Sequence, residues 1–187
     1  MKKLLRTGVE WLGLLVAALL LTLLIRTFVI DNRIVPTGSM LPTIQLNDRL
    51  FVDKLFYKMQ GIDRGDIIVF HAPENVTEEK DMVKRVIGLP GETLEIKGGL
   101  VYINEQALNE PYVAEAPNYT FGPVAIPEEA YFVMGDNRNR SLDSHVWGFL
   151  ADSYITGRIW VRYYPFSAFG KLTEPPTDYF LSAGLAP

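Results

Sequence analysis

The sequence predicts a mainly β domain carried behind one N-terminal transmembrane helix. Three observations predict it. Trp11–Ile25 reads WLGLLVAALLLTLLI, fifteen residues without a charge. After residue 30 the chain breaks into short β-branched and aromatic runs between Gly, Pro, Asn and Asp, the pattern of strands and turns. No run in that part keeps a long helical period.

Only Glu10 and Arg26 interrupt about twenty-two apolar residues between Val9 and Ile30. A helix crossing a bilayer needs roughly twenty. Arg26 lies near the outer end, where its guanidinium can reach the headgroups. Two other readings compete. A cleaved signal peptide shares the basic start and apolar core, though this core is long for one. A buried amphipathic helix would show a polar face, and this segment has none. Lys2, Lys3 and Arg6 precede the span, so the positive-inside tendency puts residues 1–8 in the cytoplasm and 9–30 in the bilayer. The rest then lies on the extracytoplasmic side, whether periplasm, cell exterior or thylakoid lumen.

The composition, 48% hydrophobic and 21% charged in 187 residues, is that of a folded domain. Absence of cysteine excludes disulfides, thiolate metal sites and cysteine catalysis. His71 and His145 are the only imidazoles, which disfavours a zinc hydrolase. Residues 31–187 hold 14 basic and 21 acidic side chains, a balance of −7 that repels nucleic acid. No cofactor, metal or nucleic-acid partner is expected.

Predicted strands are Asn32–Val35, Arg49–Lys54, Asp66–His71, Met82–Ile87, Thr93–Lys97, Leu100–Asn104, Ala130–Met134 and Gly157–Tyr163. Gly98-Gly99 reads as a hairpin turn. Met40–Leu46 can hold one helical turn. Residues 105–129, rich in Pro, Glu and Asn, read as a loop or hairpin insertion within one mostly β domain of residues 31–170. Residues 171–187, with Pro175 and Pro176, read as a loosely packed tail.

Three segments carry more than folding information. In IVPTGSMLPTI, Ile34–Ile44, two prolines bracket Thr37-Gly38-Ser39 and place Ser39 in a constrained bend. A simple turn explains the same residues. In Asp81–Glu92, strand alternation puts Met82, Lys84 and Val86 on one face and Val83, Arg85 and Ile87 on the other. At most one of the adjacent cations is then solvated in the ordinary way. Burial lowers a lysine pKa by up to ~3–5 units, and a neutral amine beside a hydroxyl is a general base. An edge strand with both charges solvated is the alternative. Gly135–Gly148, GDNRNRSLDSHVWG, is dense in small polar side chains and can build a hydrogen-bonded scaffold. A surface loop, or a calcium site of Asp136, Asn137, Asn139 and Asp143, competes with that reading.

Taken together these blocks resemble bacterial type I signal peptidase, the serine/lysine leader peptidase family. They occur in the family's order: the anchor, PTGSMLPT, DRLFVDK at Asp48–Lys54, RGDIIVF at Arg64–Phe70, KRVIGLPGE at Lys84–Glu92 and GDNRNRSLDS at Gly135–Ser144. The resemblance implies a signal-peptidase-like β-barrel or coiled β-sheet and removal of signal peptides from exported preproteins at the bilayer. It implies Ser39 as nucleophile, Lys84 as general base, and the Ser39 N–H and Thr37 hydroxyl as oxyanion donors. It further implies Ser141 as the hydroxyl orienting the lysine, and Asp143, Asp136 and Arg138 as scaffold. Substrate would lie extended beside Asn32–Val35 and Asp81–Val83. Val35, Ile44, Met82 and Val83 would line pockets for small residues at the −1 and −3 positions. His145 stands where many relatives carry Arg. The accessory β domain of longer relatives is reduced to about residues 105–129.

Overall fold

The computed structural model describes residues 2–73, 76, 80–172 and 179–180. The first helix, α1 (Lys2–Phe28), is continuous over 27 residues. Its Glu10–Phe28 part has a mean hydropathy of 2.1, and none of it is buried against the protein. A core helix of this composition would be covered, so the buried-helix reading fails. The helix is long and apolar enough to cross a membrane.

Among the described residues twelve strands follow: β1 (Ile30–Ile34), β2 (Arg49–Asp53), β3 (Ile67–His71), β4 (Asp81–Gly88), β5 (Thr93–Lys97), β6 (Leu100–Ile103), β7 (Gln106–Ala107), β8 (Phe121–Ala125), β9 (Ala130–Met134), β10 (Leu150–Ala151), β11 (Ile155–Tyr164) and β12 (Gly170–Lys171). Two short helices interrupt them, α2 (Phe56–Gln60) and α3 (Ser144–Trp147). The strands form two sheets. The larger runs β1-β2-β11-β3-β4-β9-β10, with β12 against β11; the smaller runs β7-β6-β5-β8.

Local chemistry explains the strands and the surprises. Gly98 and Gly99 turn β5 into β6 with φ of 57° and 78°, both in the region a two-residue hairpin demands. The insertion at 105–129 is more than a loop, because β7 and β8 complete the small sheet. Gly122-Pro123 disguises β8 in the sequence. Proline cannot donate to a ladder, and β8 is an edge strand, where that loss is tolerated. The tail expectation falls largely outside the described residues. Tyr179 is held, however: Asn109 N–H donates to its carbonyl at 2.7 Å, and its hydroxyl donates to the Arg64 carbonyl.

The large sheet coils. Three strands, β2, β11 and β3, separate β1 from β4 in the ladder order, yet Arg33 of β1 donates to Asp81 of β4 at 2.7 Å. Among the described residues no ladder joins these two strands, so the sheet is an open coil rather than a closed barrel. Inside the coil lie Val35, Met40, Ile44, Leu50, Val52, Ile67, Val69 and Ile159. The other face packs Tyr57, Phe70, Met82, Val86 and Val133. The small sheet sits on a third cluster that includes Leu94, Ile96, Val101, Ile87, Phe132 and Met134. Strand β4 serves all three clusters, so side chains along it are placed by packing on every side.

Candidate active site

Ser39 projects from a bend pinned at both ends. Val35 N–H donates to the Asp48 carbonyl at 3.1 Å, and Asn47 N–H returns to the Val35 carbonyl at 2.8 Å. The expected helical turn is present, closed by Ile44 N–H on the Met40 carbonyl at 2.9 Å. Val35, Met40 and Ile44 are buried, which anchors the bend in the core and leaves Thr37, Gly38 and Ser39 half-buried above it.

Lys84 comes to this bend from β4, paired with Ile68 across the ladder. It is only 3% exposed. Its amine donates to Ser39 Oγ at 2.8 Å and to the Val83 carbonyl at 3.1 Å. Residues forty-five positions apart are thus in direct contact.

The adjacent Arg85 points to the opposite face and is also buried, so neither cation is solvated. Its Nε and Nη2 donate to the two Asp136 oxygens at 2.8 and 2.7 Å, and Nη1 donates to the Gly65 carbonyl at 2.9 Å. The Tyr112 ring lies 3.9 Å from the guanidinium carbon, a cation–π contact. Burial alone pulls the Arg85 pKa down, but the Asp136 carboxylate outweighs it and holds the group above its ordinary value. Asp136 also accepts from Thr43 Oγ1. The edge-strand alternative with both charges solvated is therefore excluded.

The segment after β9 wraps the nucleophile. Asn137 N–H donates to the Ser39 carbonyl at 3.1 Å, and its Nδ2 donates to the Gly38 carbonyl at 3.0 Å. Gly135 N–H donates to Asp143 Oδ2 at 2.9 Å, and Arg138 Nε donates to the Gly135 carbonyl at 3.1 Å. A Cβ at Gly135 would overlap both Ser141 Oγ and the Ser39 carbonyl, so only glycine permits this close approach. Arg138 is 1% exposed and makes a two-pronged pair with Glu110. Burial lowers its pKa, the Glu110 carboxylate raises it, and the net result is upward.

Asp143 caps α3 through His145 N–H and lies 2.6 Å from His145 Nδ1. His145 stacks on Tyr119 with ring centres 4.1 Å apart. The calcium alternative fails here, because Asp136 and Asp143 already commit their oxygens to Arg85, Thr43, Gly135 and His145.

The other expected residues are placed as follows. Ser141 Oγ is buried against Gly135 and finds no hydrogen-bond partner among the described residues, so the bond to Lys84 implied by the resemblance is not formed here. Thr37 stands half-buried in the Ser39 bend. Val35 and Ile44 are buried in the cluster inside the coil, and Val83 packs against it. Met82 lies in the cluster on the opposite face, so these four residues do not share one cavity. Strand β9 pairs only with Arg85, Val86 and Gly88 of β4, leaving one edge of Asp81–Lys84 without a ladder among the described residues. Strand β1 ends the sheet, and Arg33 links it across the gap to Asp81.

Sequence reasoning missed Asn137 as a grip on Ser39, and it missed Thr43, Glu110, Tyr112 and Tyr119. Asn137 stood in the sequence only as a polar member of its loop and a candidate calcium ligand. Nothing local distinguishes Glu110, because its partner lies twenty-eight residues away.

Several known proteins resemble this chain. The family described as "Signal peptidase, peptidase S26" matches residues 8–164, a range that includes Ser39, Lys84 and the whole Gly135–His145 loop. "Signal peptidase I" of Leptolyngbya laminosa is 46% identical over 175 residues, covering 91% of this chain and 85% of that protein. "Probable signal peptidase I-2" of Synechocystis sp. is 43% identical, covering 88% and 78%. A crystal structure of a signal peptidase I from Enterococcus faecalis is 36% identical, covering 52% of this chain and 96% of that one, with a TM-score of 0.47. By the span of the family match and by these identities, the chain belongs to the signal peptidase family, peptidase S26.

Proposed function

We propose that this chain is a membrane-anchored signal peptidase I that removes signal peptides from preproteins with Ser39 as nucleophile and Lys84 as general base. The observation that carries this reading is the 2.8 Å contact between Lys84 Nζ and Ser39 Oγ in a family of signal peptidases. Burial of Lys84 disfavours its ammonium form, which is what a base at neutral pH requires. The neutral amine takes the Ser39 proton as Oγ attacks the scissile carbonyl. The Ser39 N–H and Thr37 hydroxyl hold the oxyanion that forms. Lys84, now protonated, delivers its proton to the departing amine. A water activated by the same lysine then hydrolyses the acyl-enzyme. For Ser141 to orient the amine, its buried hydroxyl, which bonds to nothing among the described residues, must turn onto Lys84 during these transfers; Asp136, Arg138 and Asp143 are scaffold.

Substrate enters between the free edges of β1 and Asp81–Val83 and pairs with them as an added strand. Small residues at −1 and −3 meet the floor formed by Val35, Ile44 and Val83, with Met82 on the far side of β4. Helix α1 is the single-pass anchor, residues 1–8 are cytoplasmic, and residues 31–170 form the extracytoplasmic catalytic domain. One five-residue strand, β1, separates α1 from the Ser39 bend, a reach of about 17 Å. A signal peptide leaving the bilayer arrives at that height.

Cleavage of a preprotein by wild type, Ser39→Ala and Lys84→Ala tests the pair. Both variants should lose activity by on the order of 10³-fold or more. Full activity in either one overturns the mechanism.

A further inference from the structure

Residues 109–120 read NEPYVAEAPNYT, a composition that suggests a solvated connection between β7 and β8. The structure gives them another task. Glu110 is 10% exposed at its side chain and accepts from both Arg138 Nη1 and Nη2, at 2.8 and 2.7 Å. Tyr112 donates its hydroxyl to the same carboxylate at 2.8 Å while its ring covers Arg85. Asn118 N–H donates to Asn139 Oδ1 at 2.9 Å, and Asn139 Nδ2 donates to the Ala116 carbonyl at 3.1 Å. Tyr119 stacks on His145. Apart from the bond between Tyr112 and Glu110, each of these contacts ends on the loop that holds Ser39 or on Arg85, which anchors that loop through Asp136.

We propose that Glu110, assisted by Tyr112, is a positioning residue for signal peptide cleavage: it fixes Arg138 and thereby the Gly135–Asn137 backbone that grips Ser39. This rests on the assignment of Ser39 and Lys84 made above. The chain of contacts is short. Glu110 holds the Arg138 guanidinium, Arg138 Nε holds the Gly135 carbonyl, and Gly135 abuts the Ser39 carbonyl and Ser141. Asn137, between them in sequence, clamps Gly38 and Ser39 by their carbonyls. Without the carboxylate, the fully buried Arg138 must seek water or another acceptor. Its movement drags the Gly135 carbonyl and loosens the clamp. A displacement near 1 Å at a reacting group costs on the order of 10²-fold in rate.

The test compares the full-length wild type with Glu110→Gln, Glu110→Asp and Tyr112→Phe in detergent, on a preprotein substrate. Rates are expressed per site titrated with a serine-acylating probe. In Glu110→Gln, kcat per titrated site should fall by about 10- to 100-fold with KM within about twofold of wild type. Glu110→Asp, which keeps a carboxylate, should recover part of the loss. A purely stabilising role would reduce the titratable fraction and the melting temperature but leave kcat per titrated site unchanged, and that result overturns the proposal. If Glu110→Gln does not fold, Tyr112→Phe decides: it keeps the ring and removes one hydrogen bond, and kcat should fall by about threefold. An unchanged kcat there overturns the proposal too. Failure of the probe to label Ser39 in wild type would instead overturn the underlying nucleophile assignment.

Discussion

The two sheets contribute to one site in different ways. The large sheet supplies the reactive side chain: Lys84 stands on β4, and the Ser39 bend follows β1. The small sheet supplies no reacting atom. Its β7–β8 connection supplies Glu110, Tyr112 and Tyr119, which close over the loop that the large sheet leaves uncovered. The large sheet places groups by ladder register, which is rigid and local. The small sheet places them by buried charge pairing across long sequence separations. Strand residues are therefore located by periodicity, whereas the wall behind them depends on ion pairs that must all be satisfied at once.

That contrast can be broken most forcefully at Asp136, whose partner Arg85 also carries the Tyr112 ring. Asp136→Ala leaves Arg85 buried without its carboxylate, and such breaks cost about 3–5 kcal/mol. Denaturant unfolding should record that loss, and a change under about 1 kcal/mol would show that the pairing is not the joint described here. Gly135→Ala sharpens the contrast in the opposite sense, by touching activity more than stability. The added methyl meets Ser141 Oγ and the Ser39 carbonyl, so cleavage should drop by roughly 10²-fold. Wild-type turnover in Gly135→Ala would mean that the Ser39 bend is not gripped from this loop.

The smallest effect is expected from ionisation of the small-sheet wall. Burial, then the Glu110 carboxylate, pushes the Tyr112 phenol well above its ordinary value. An unfolded tyrosine titrates near ~10. The contribution of Tyr112 is thus complete below about pH 10 and is lost as pH climbs from there toward the folded-state value. Denaturant midpoints measured from about pH 9 to 11 should fall less steeply in Tyr112→Phe than in wild type. Identical slopes would show that the phenol does not titrate with unfolding.

Much of the fold was legible because its signals are local. The uncharged run of α1, the alternation in β4 and the paired glycines of the β5–β6 turn are each explained within a few residues. Strands β7, β8, β10 and β12 were not legible. β7, β10 and β12 are two residues long, and β8 carries Gly122-Pro123, so none has a periodic pattern to read. The site divides along the same line. Ser39 and Lys84 stood out through motif blocks, and alternation separated Lys84 from Arg85. Alternation alone could not reveal that both would be buried, because that depends on whether a carboxylate from β9's far end reaches Arg85.

By itself, then, the sequence determined that a membrane-length apolar helix precedes a β domain, and which serine and lysine are candidates for chemistry. Hydrophobic runs and two-residue periodicity carry that information along the chain. The tertiary structure decided the 2.8 Å meeting of Lys84 and Ser39, the coiling that brings β1 opposite β4, and the recruitment of Glu110 to Arg138. Each joins residues twenty-eight to forty-eight positions apart. Only the packing of three clusters around β4 brings them within hydrogen-bond reach.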